Sequence, residues 1–243
     1  MAEQTKVSEE ITAQEQETLD KLAYTKKRYL TPKEIAAFVL VNFGQKNLTQ
    51  FFDANMEFFL ITFSKLNTTA YANIKLFTTI YDAVDDTLSG LIIDRTRTRW
   101  GRVRPYLILP LPLLLIGGSM IFTATDMGST ARVIYTVIAV IIYGLGMSYF
   151  NAWQLMIYNI TPNIKERNNL ITTMKFFELF GVWLPSLVPV FADFLPKLNS
   201  NIAMNDIYTG FAYSILILVA CFAIFGFFSM RERCLLYTSD AAD

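Results

Sequence analysis

Between Tyr81 and Pro105 the chain reads YDAVDDTLSGLIIDRTRTRWGRVRP, and this stretch limits the possible folds more than any other. Its first half sets Asp82, Asp85 and Asp86 into a segment otherwise apolar enough to cross a bilayer. Its second half places Arg95, Arg97, Arg99, Arg102 and Arg104 directly behind that segment. An ionisable side chain at membrane depth costs about 2.5 to 3.5 kcal/mol on insertion scales, so three in one helix need a purpose. The arginines mark the side of the membrane on which the segment ends. A soluble reading, with an amphipathic surface helix and a solvated basic loop, would strand the long apolar runs on either side.

Asp82 and Asp86 stand four residues apart, which on a helix puts both carboxylates on one face with Cβ atoms about 5 to 6 Å apart. Two such groups in low dielectric do not both stay charged unaided. Either one is protonated or a cation sits between them. Both outcomes describe a site that exchanges a proton for a metal ion, as an ion-coupled carrier requires.

Asp82-x-x-x-Asp86, followed by Gly90-x-x-x-Asp94-Arg95-Thr96-x-x-Arg99-x-Gly101-Arg102-x-Arg104-Pro105, resembles the signature of the glycoside-pentoside-hexuronide:cation symporters, the melibiose-permease branch of the major facilitator superfamily. The resemblance implies an all-α integral membrane fold: six transmembrane helices forming the N-terminal half of a twelve-helix carrier, with the C-terminal half of the same chain as partner. It implies that Asp82 and Asp86, with Asp85, hold the coupling cation, and that Gly90, Asp94, Arg95, Arg99, Gly101, Arg102 and Arg104 form a loop that locks one conformation. The pattern departs from the family at Thr87, where a proline is usual, at Thr79, where a basic residue is usual, and at Asp85, where asparagine is frequent. Sodium, lithium and proton all stay open as coupling ion, and no other cofactor is expected.

Composition agrees with a membrane protein, since 53% hydrophobic and 17% charged residues exceed the apolar share of ordinary soluble folds. A net charge of zero argues against a nucleic-acid partner. No histidine is present, so no imidazole serves as proton relay, zinc ligand or base. No nucleophile with an adjacent base and no phosphate loop is seen, which argues against an enzyme. Cys221 lies in an apolar run, where a buried, reduced thiol is expected.

Residues 1–30 are polar and read as a disordered cytoplasmic tail. Residues 31–233 form the helical bundle. Residues 234–243, CLLYTSDAAD, resemble a transposase sequencing-library adapter read in frame and are excluded from the fold, so the native chain is expected to continue past Arg233.

Thr31-Pro32-Lys33-Glu34 predicts a helix start with a capping box, and Ile35 to Phe63 a first span. Asn42, Lys46, Thr49, Asp53 and Glu57 form a polar stripe along it. The resemblance assigns substrate contacts to Asn47 or Lys46 here, although neither carries the acid usual in the family. The second span is expected from about Ala70 to Ile93, and a third after Pro105, bent at Pro110 and Pro112, with Gly117-Gly118-Ser119 as a packing surface. The fourth runs from about Ala131 to Tyr158 and offers Asn151 and Trp153 as sugar contacts, an amide for hydroxyls and an indole for a pyranose face. Trp153 reads equally as a packing or lipid-facing aromatic.

The fifth span, Asn168 to Asp193, carries Lys175-Phe176-Phe177 where the family has Arg-Phe-Phe, so Lys175 is a candidate for substrate binding. It is equally a candidate for an intrahelical pair with Glu178. Phe194 to Asp206 is expected to be the longest loop and Tyr208 to Met230 the sixth span. Fifteen Lys and Arg then fall on the side of the tail and three on the other, which predicts a cytoplasmic N-terminus in the cell (inner) membrane. The implied function is cation-coupled symport of a sugar, glycoside or hexuronide, with lipid as surroundings. The alternative is a channel or membrane scaffold in which the acids line a pore or pair with Lys46, Lys75 and Lys175.

Overall fold

The computed structural model describes residues 28–123, 127–198 and 203–231. The described residues are helical, joined by short turns. Helix α1 (Pro32–Thr62) begins as its sequence dictates. Thr31 Oγ1 accepts the Glu34 N–H while the Glu34 carboxylate takes the Thr31 N–H at 2.9 Å, closing the capping box. Helix α2 (Thr68–Arg95) starts on an Asn67 cap, and α3 (Leu111–Ile121) follows a 3-10 turn at Arg104–Leu107. Pro110 and Pro112 were expected to bend one helix. Instead the chain breaks, with Pro110 capping α3 and Pro112 in its first turn, where a missing N–H costs nothing.

Helix α4 (Ser129–Asn151) continues through a 3-10 turn, Ala152–Leu155, into the short α5 (Met156–Asn159). Helix α6 (Ile164–Ser186) leads into α7 (Val188–Leu198) across Leu187, beside Pro185. Helix α8 (Met204–Ser229) closes the bundle. The long loop expected from Phe194 is therefore helical through Leu198. Asp193 and Lys197 pair there at 2.6 Å, one turn apart. The expected tail up to residue 27, and the segment at 234–243, lie outside the described residues.

Among the described residues, four stretches are long and apolar enough to span a membrane: Arg104–Ile121, Ser129–Asn159, Ile164–Lys197 and Met204–Ser229. Helices α1 and α2, with 31 and 28 residues, have the length but carry the charged residues discussed above. Arg132 donates to the carbonyls of Lys65 and Met127, fastening the α1–α2 turn to the start of α4.

Helix α1 is the centre of the bundle, packed between α6 and α8. Phe51, Phe52, Phe59 and Phe122 form one aromatic knot with centroids 4.9 to 5.9 Å apart, and Phe52 stacks on Tyr143 at 4.2 Å. Helices α3 and α4 touch through glycine. A Cβ on Gly117 would lie 2.4 Å from the Tyr143 nitrogen, and one on Gly146 2.9 Å from the Leu114 nitrogen. Cys221 is a free, exposed thiol on α8, not the buried one expected. In a membrane helix an apolar neighbourhood is also what the lipid-facing side looks like, so apolar sequence does not imply burial within protein.

Candidate functional site

The buried stripe of α2 runs through Tyr71, Ile74, Thr78, Asp85, Ser89 and Ile93. It passes through Asp85, which is only 6% exposed, and leaves Asp82 and Asp86 exposed on its flank. The sequence singles out the 82/86 pair as the sunken one; the structure sinks the acid between them. On a helical wheel Asp85 stands 60° from Asp82 and 100° from Asp86, roughly, so the three carboxylates fan around one edge of the helix. Asp85 Oδ2 is buried and finds no hydrogen-bond donor among the described residues.

Asp82 and Asp86 sit at the seam with α4. The Ser148 hydroxyl donates to Asp86 Oδ1 at 3.4 Å, and a Cβ on Gly144 would lie 3.5 Å from Asp82 Oδ1. A Cβ there would make only ordinary van der Waals contact, so α4 runs directly beside the carboxylate. Counted at 1.5 Å per residue from Arg95, Asp86 lies about 14 Å and Asp82 about 20 Å along α2, towards the middle of this 28-residue helix. No group of three or more acidic, His or Cys side chains among the described residues is gathered closely enough to hold a metal ion. The donors here are carboxylates and a hydroxyl, oxygen ligands of the kind that hard cations take.

A second polar cluster joins α1 to α6. Glu178 accepts from Lys175 at 3.0 Å and from Asn42 at 3.3 Å, and lies 3.5 Å from the Lys46 ammonium. Asn42 also donates to the Met174 carbonyl. The intrahelical Lys175–Glu178 pair is thus formed, but its carboxylate is shared with a second helix. Gly181 makes this possible, since a Cβ there would meet the Phe43 carbonyl at 2.9 Å. Asn47, the other α1 candidate, is buried on a different side of the helix from Lys46.

Gln45 forms a third cluster that sequence reasoning missed. Its Oε1 accepts from Trp153 Nε1 at 2.9 Å and from Gln154 Nε2 at 3.2 Å, while its Nε2 donates to Asn151 Oδ1. All three partners come from the junction between α4 and α5. Trp153 is fully buried, 6.1 Å from Phe38, so its ring lies in the core with no face open to a sugar; packing is the role its position gives it. Asn151 is exposed and held from behind by Gln45. In the sequence Gln45 is one polar residue among several, beside Asn42, Lys46, Asn47 and Thr49, and no regular spacing marks it out from them.

The basic loop behind α2 folds back on the bundle. Gly101 has φ 109°, a left-handed conformation that glycine adopts freely, and it pairs with Thr98 in a tight turn. Arg102 reaches Asp94 at 3.5 Å, and Arg104 donates to the Phe227 carbonyl at 2.7 Å while lying over the Phe227 ring. Arg99 lies over Trp100 at 4.6 Å, and Thr96 and Tyr106 share a hydrogen bond of 2.7 Å. Arg95 is exposed. Gly90 has open space around it, so no close approach explains a glycine there.

Residues 37–241 match the family model for MFS/sugar transport proteins. An uncharacterized symporter of Bacillus subtilis is 30% identical over 190 residues, which cover 75% of this chain and 40% of that protein. A putative glycoside/cation symporter of Escherichia coli is 32% identical over 110 residues, covering 44% of this chain and 23% of the relative. An isoprimeverose transporter of Lactiplantibacillus pentosus is 29% identical over 113 residues, covering 45% and 23%. The matches thus span less than half the length of these relatives. Helical architecture, apolar spans and the family match over most of the sequence together make this chain a member of the MFS/sugar transport family, in the melibiose-permease-like branch of the major facilitator superfamily.

Proposed function

We propose that the full-length protein is a secondary carrier that moves a sugar or glycoside inward together with a cation. The observation that carries this reading is the fan of Asp82, Asp85 and Asp86 at mid-depth of a helix in a sugar-transport family, flanked by the Ser148 hydroxyl. In this reading α1 and α2 also cross the membrane, giving six spans with both ends of the bundle on the cytoplasmic side of the cell membrane. A second six-helix half supplies the opposing wall.

The mechanism follows from charge. Without a cation the carboxylates repel one another and keep the seam between α2 and α4 open to water. A cation or proton relieves the repulsion. Relief lets the two halves close over a solute held by Lys46, Asn151 and Lys175, near the midplane, with Asn47 buried on another side of α1. Arg102, Arg104 and Gly101 then fix the basic end of α2 against α8 in one of the two states. Trp153 supports the site from the core rather than stacking on the solute.

The test is uptake and counterflow of labelled sugar in proteoliposomes holding the full-length protein. Asp82→Asn and Asp86→Asn should abolish cation-stimulated uptake while leaving folded protein in the membrane. Undiminished stimulation in both variants would remove the coupling role. A channel does not exchange label against a gradient, so loss of counterflow alone, with flux retained, would favour the pore reading.

A further inference from the structure

One flank of the α1–α6 contact is an open apolar groove of about 540 Å³, with Pro32, Ala36, Leu40 and Phe43 of α1 along one wall and Thr173 and Phe177 of α6 along the other. The Thr173 hydroxyl donates to the Asn169 carbonyl at 2.8 Å, so it turns onto its own helix and leaves the wall apolar. Pro32 to Phe43 spans about 16 Å at 1.5 Å per residue, close to the depth of one leaflet of a hydrocarbon core about 30 Å thick. The groove opens at the capped start of α1. A trough of this kind is filled by an acyl chain, since an empty one would forfeit the contacts of its lining atoms.

Both walls run out into polar side chains at that end. On α6, Lys165, Asn169, Thr173 and Phe177 stand four apart and form one ridge. On α1, Lys33 stands three residues before Ala36 and seven before Leu40, on the same edge of the helix. Glu166 sets the two starts side by side, because its carboxylate accepts the main-chain amides of Tyr29 and Leu30. Lys33, Lys165 and Asn169 are all exposed. The acids of this end are already engaged, Glu34 in its capping box and Glu166 with Tyr29, Leu30 and the Thr161 hydroxyl. The rim is therefore positive above an apolar trough, the pattern that retains an anionic headgroup at a membrane surface.

Independently of the carrier reading, we propose that this groove binds an anionic glycerophospholipid: one acyl chain lies between α1 and α6, and its phosphate is received by Lys33 and Lys165, with the Asn169 amide as a further donor. The trough accepts the chain of any lipid of that leaflet. Selection falls to the rim, where a headgroup of net negative charge gains from both lysines. A headgroup with its own ammonium offers them no net charge and gains less. The bound lipid ties α1 to α6 on the flank opposite the Lys46–Glu178–Lys175 cluster.

The experiment uses the full-length protein in detergent, with dioleoyl phosphatidylglycerol and dioleoyl phosphatidylcholine as probes, and reads retained lipid by native mass spectrometry. The anionic lipid should be retained about tenfold more strongly, as two basic side chains at a membrane surface provide. Replacing both lysines, Lys33→Gln with Lys165→Gln, should bring the two lipids to within about twofold of each other. Ala36→Trp should lower retention of both, because its ring would lie in the trough; Ala36 is exposed, so the ring would not enter the core. A phosphatidylglycerol with a photoactivatable acyl chain should label residues 32–43 and 173–177. Equal retention of the two lipids, a preference unchanged in the double variant, or labelling confined to other helices would overturn the proposal. The last result would mean that another part of the full-length chain, or a second copy, covers the groove.

Discussion

Single residues decide how the polar groups of this bundle are satisfied. The capping box of Thr31 and Glu34 was legible because its signal is local, three residues apart. Gln45 was not, because its partners lie more than a hundred positions away and amides carry no periodic signature. The same distance hid the role of Glu178, read from sequence only as the mate of Lys175, since its links to Asn42 and Lys46 cross between helices. Replacing Gln45 by Leu would leave the buried Trp153 N–H without an acceptor and release Asn151. A buried donor left unpaired costs about 1 to 3 kcal/mol. Gln45→Leu should lower the unfolding midpoint in detergent, and an unchanged midpoint would show that water replaces the amide. Trp153→Phe in the same background should cost little further, because the two changes remove one shared interaction.

At the scale of elements, apolar length and small residues carried most of the information. The glycine pairs at 117–118 and 144–146 mark helix contacts in the sequence, and the structure uses Gly117 and Gly146 for the closest approaches of α3 and α4. Helix breaks were harder to read. Proline shows where a helix is weakened but not whether neighbours hold it as a bend or let it part, as at Ile108 to Pro110. The acid spacing on α2 gave the face but not its rotation, which depends on how α4 meets α2. Gly117→Ala should destabilise by about 1 to 3 kcal/mol, because the added methyl would press on the Tyr143 backbone, which has little room to move. Gly210→Ala, with open space around it in α8, should change stability by less than about 1 kcal/mol. Equal effects of the two in thermal unfolding would contradict the packing described.

For the whole molecule, the placement of basic residues sets the orientation. The capped start of α1, the arginine loop, the start of α6 and the end of α8 gather at one end, as the contacts of Glu166 with Tyr29 and Leu30 and of Arg104 with Phe227 require. If that end is cytoplasmic, Arg97→Cys should react with a membrane-impermeant maleimide only after cells are opened. Lys65→Cys should react on intact cells, each in a background with the native cysteines replaced. The reverse pattern would invert the topology. The exposed apolar side chains of α2, such as Leu76, Ile80, Val84 and Leu88, need cover from lipid or from further protein.

The clasp at that same end has one further consequence. Glu166 grips the start of the chain by main-chain amides alone, those of Tyr29 and Leu30, with Thr161 Oγ1 as a third donor. Side-chain identity at positions 29 and 30 is therefore invisible to this carboxylate, and what constrains Leu30 is its own burial in the core. Proline is the exception, since it has no amide hydrogen to offer. A proline at 30 would remove the 2.9 Å bond and leave the leading segment held to the turn before α6 by the Tyr29 amide, without touching any residue of either polar cluster.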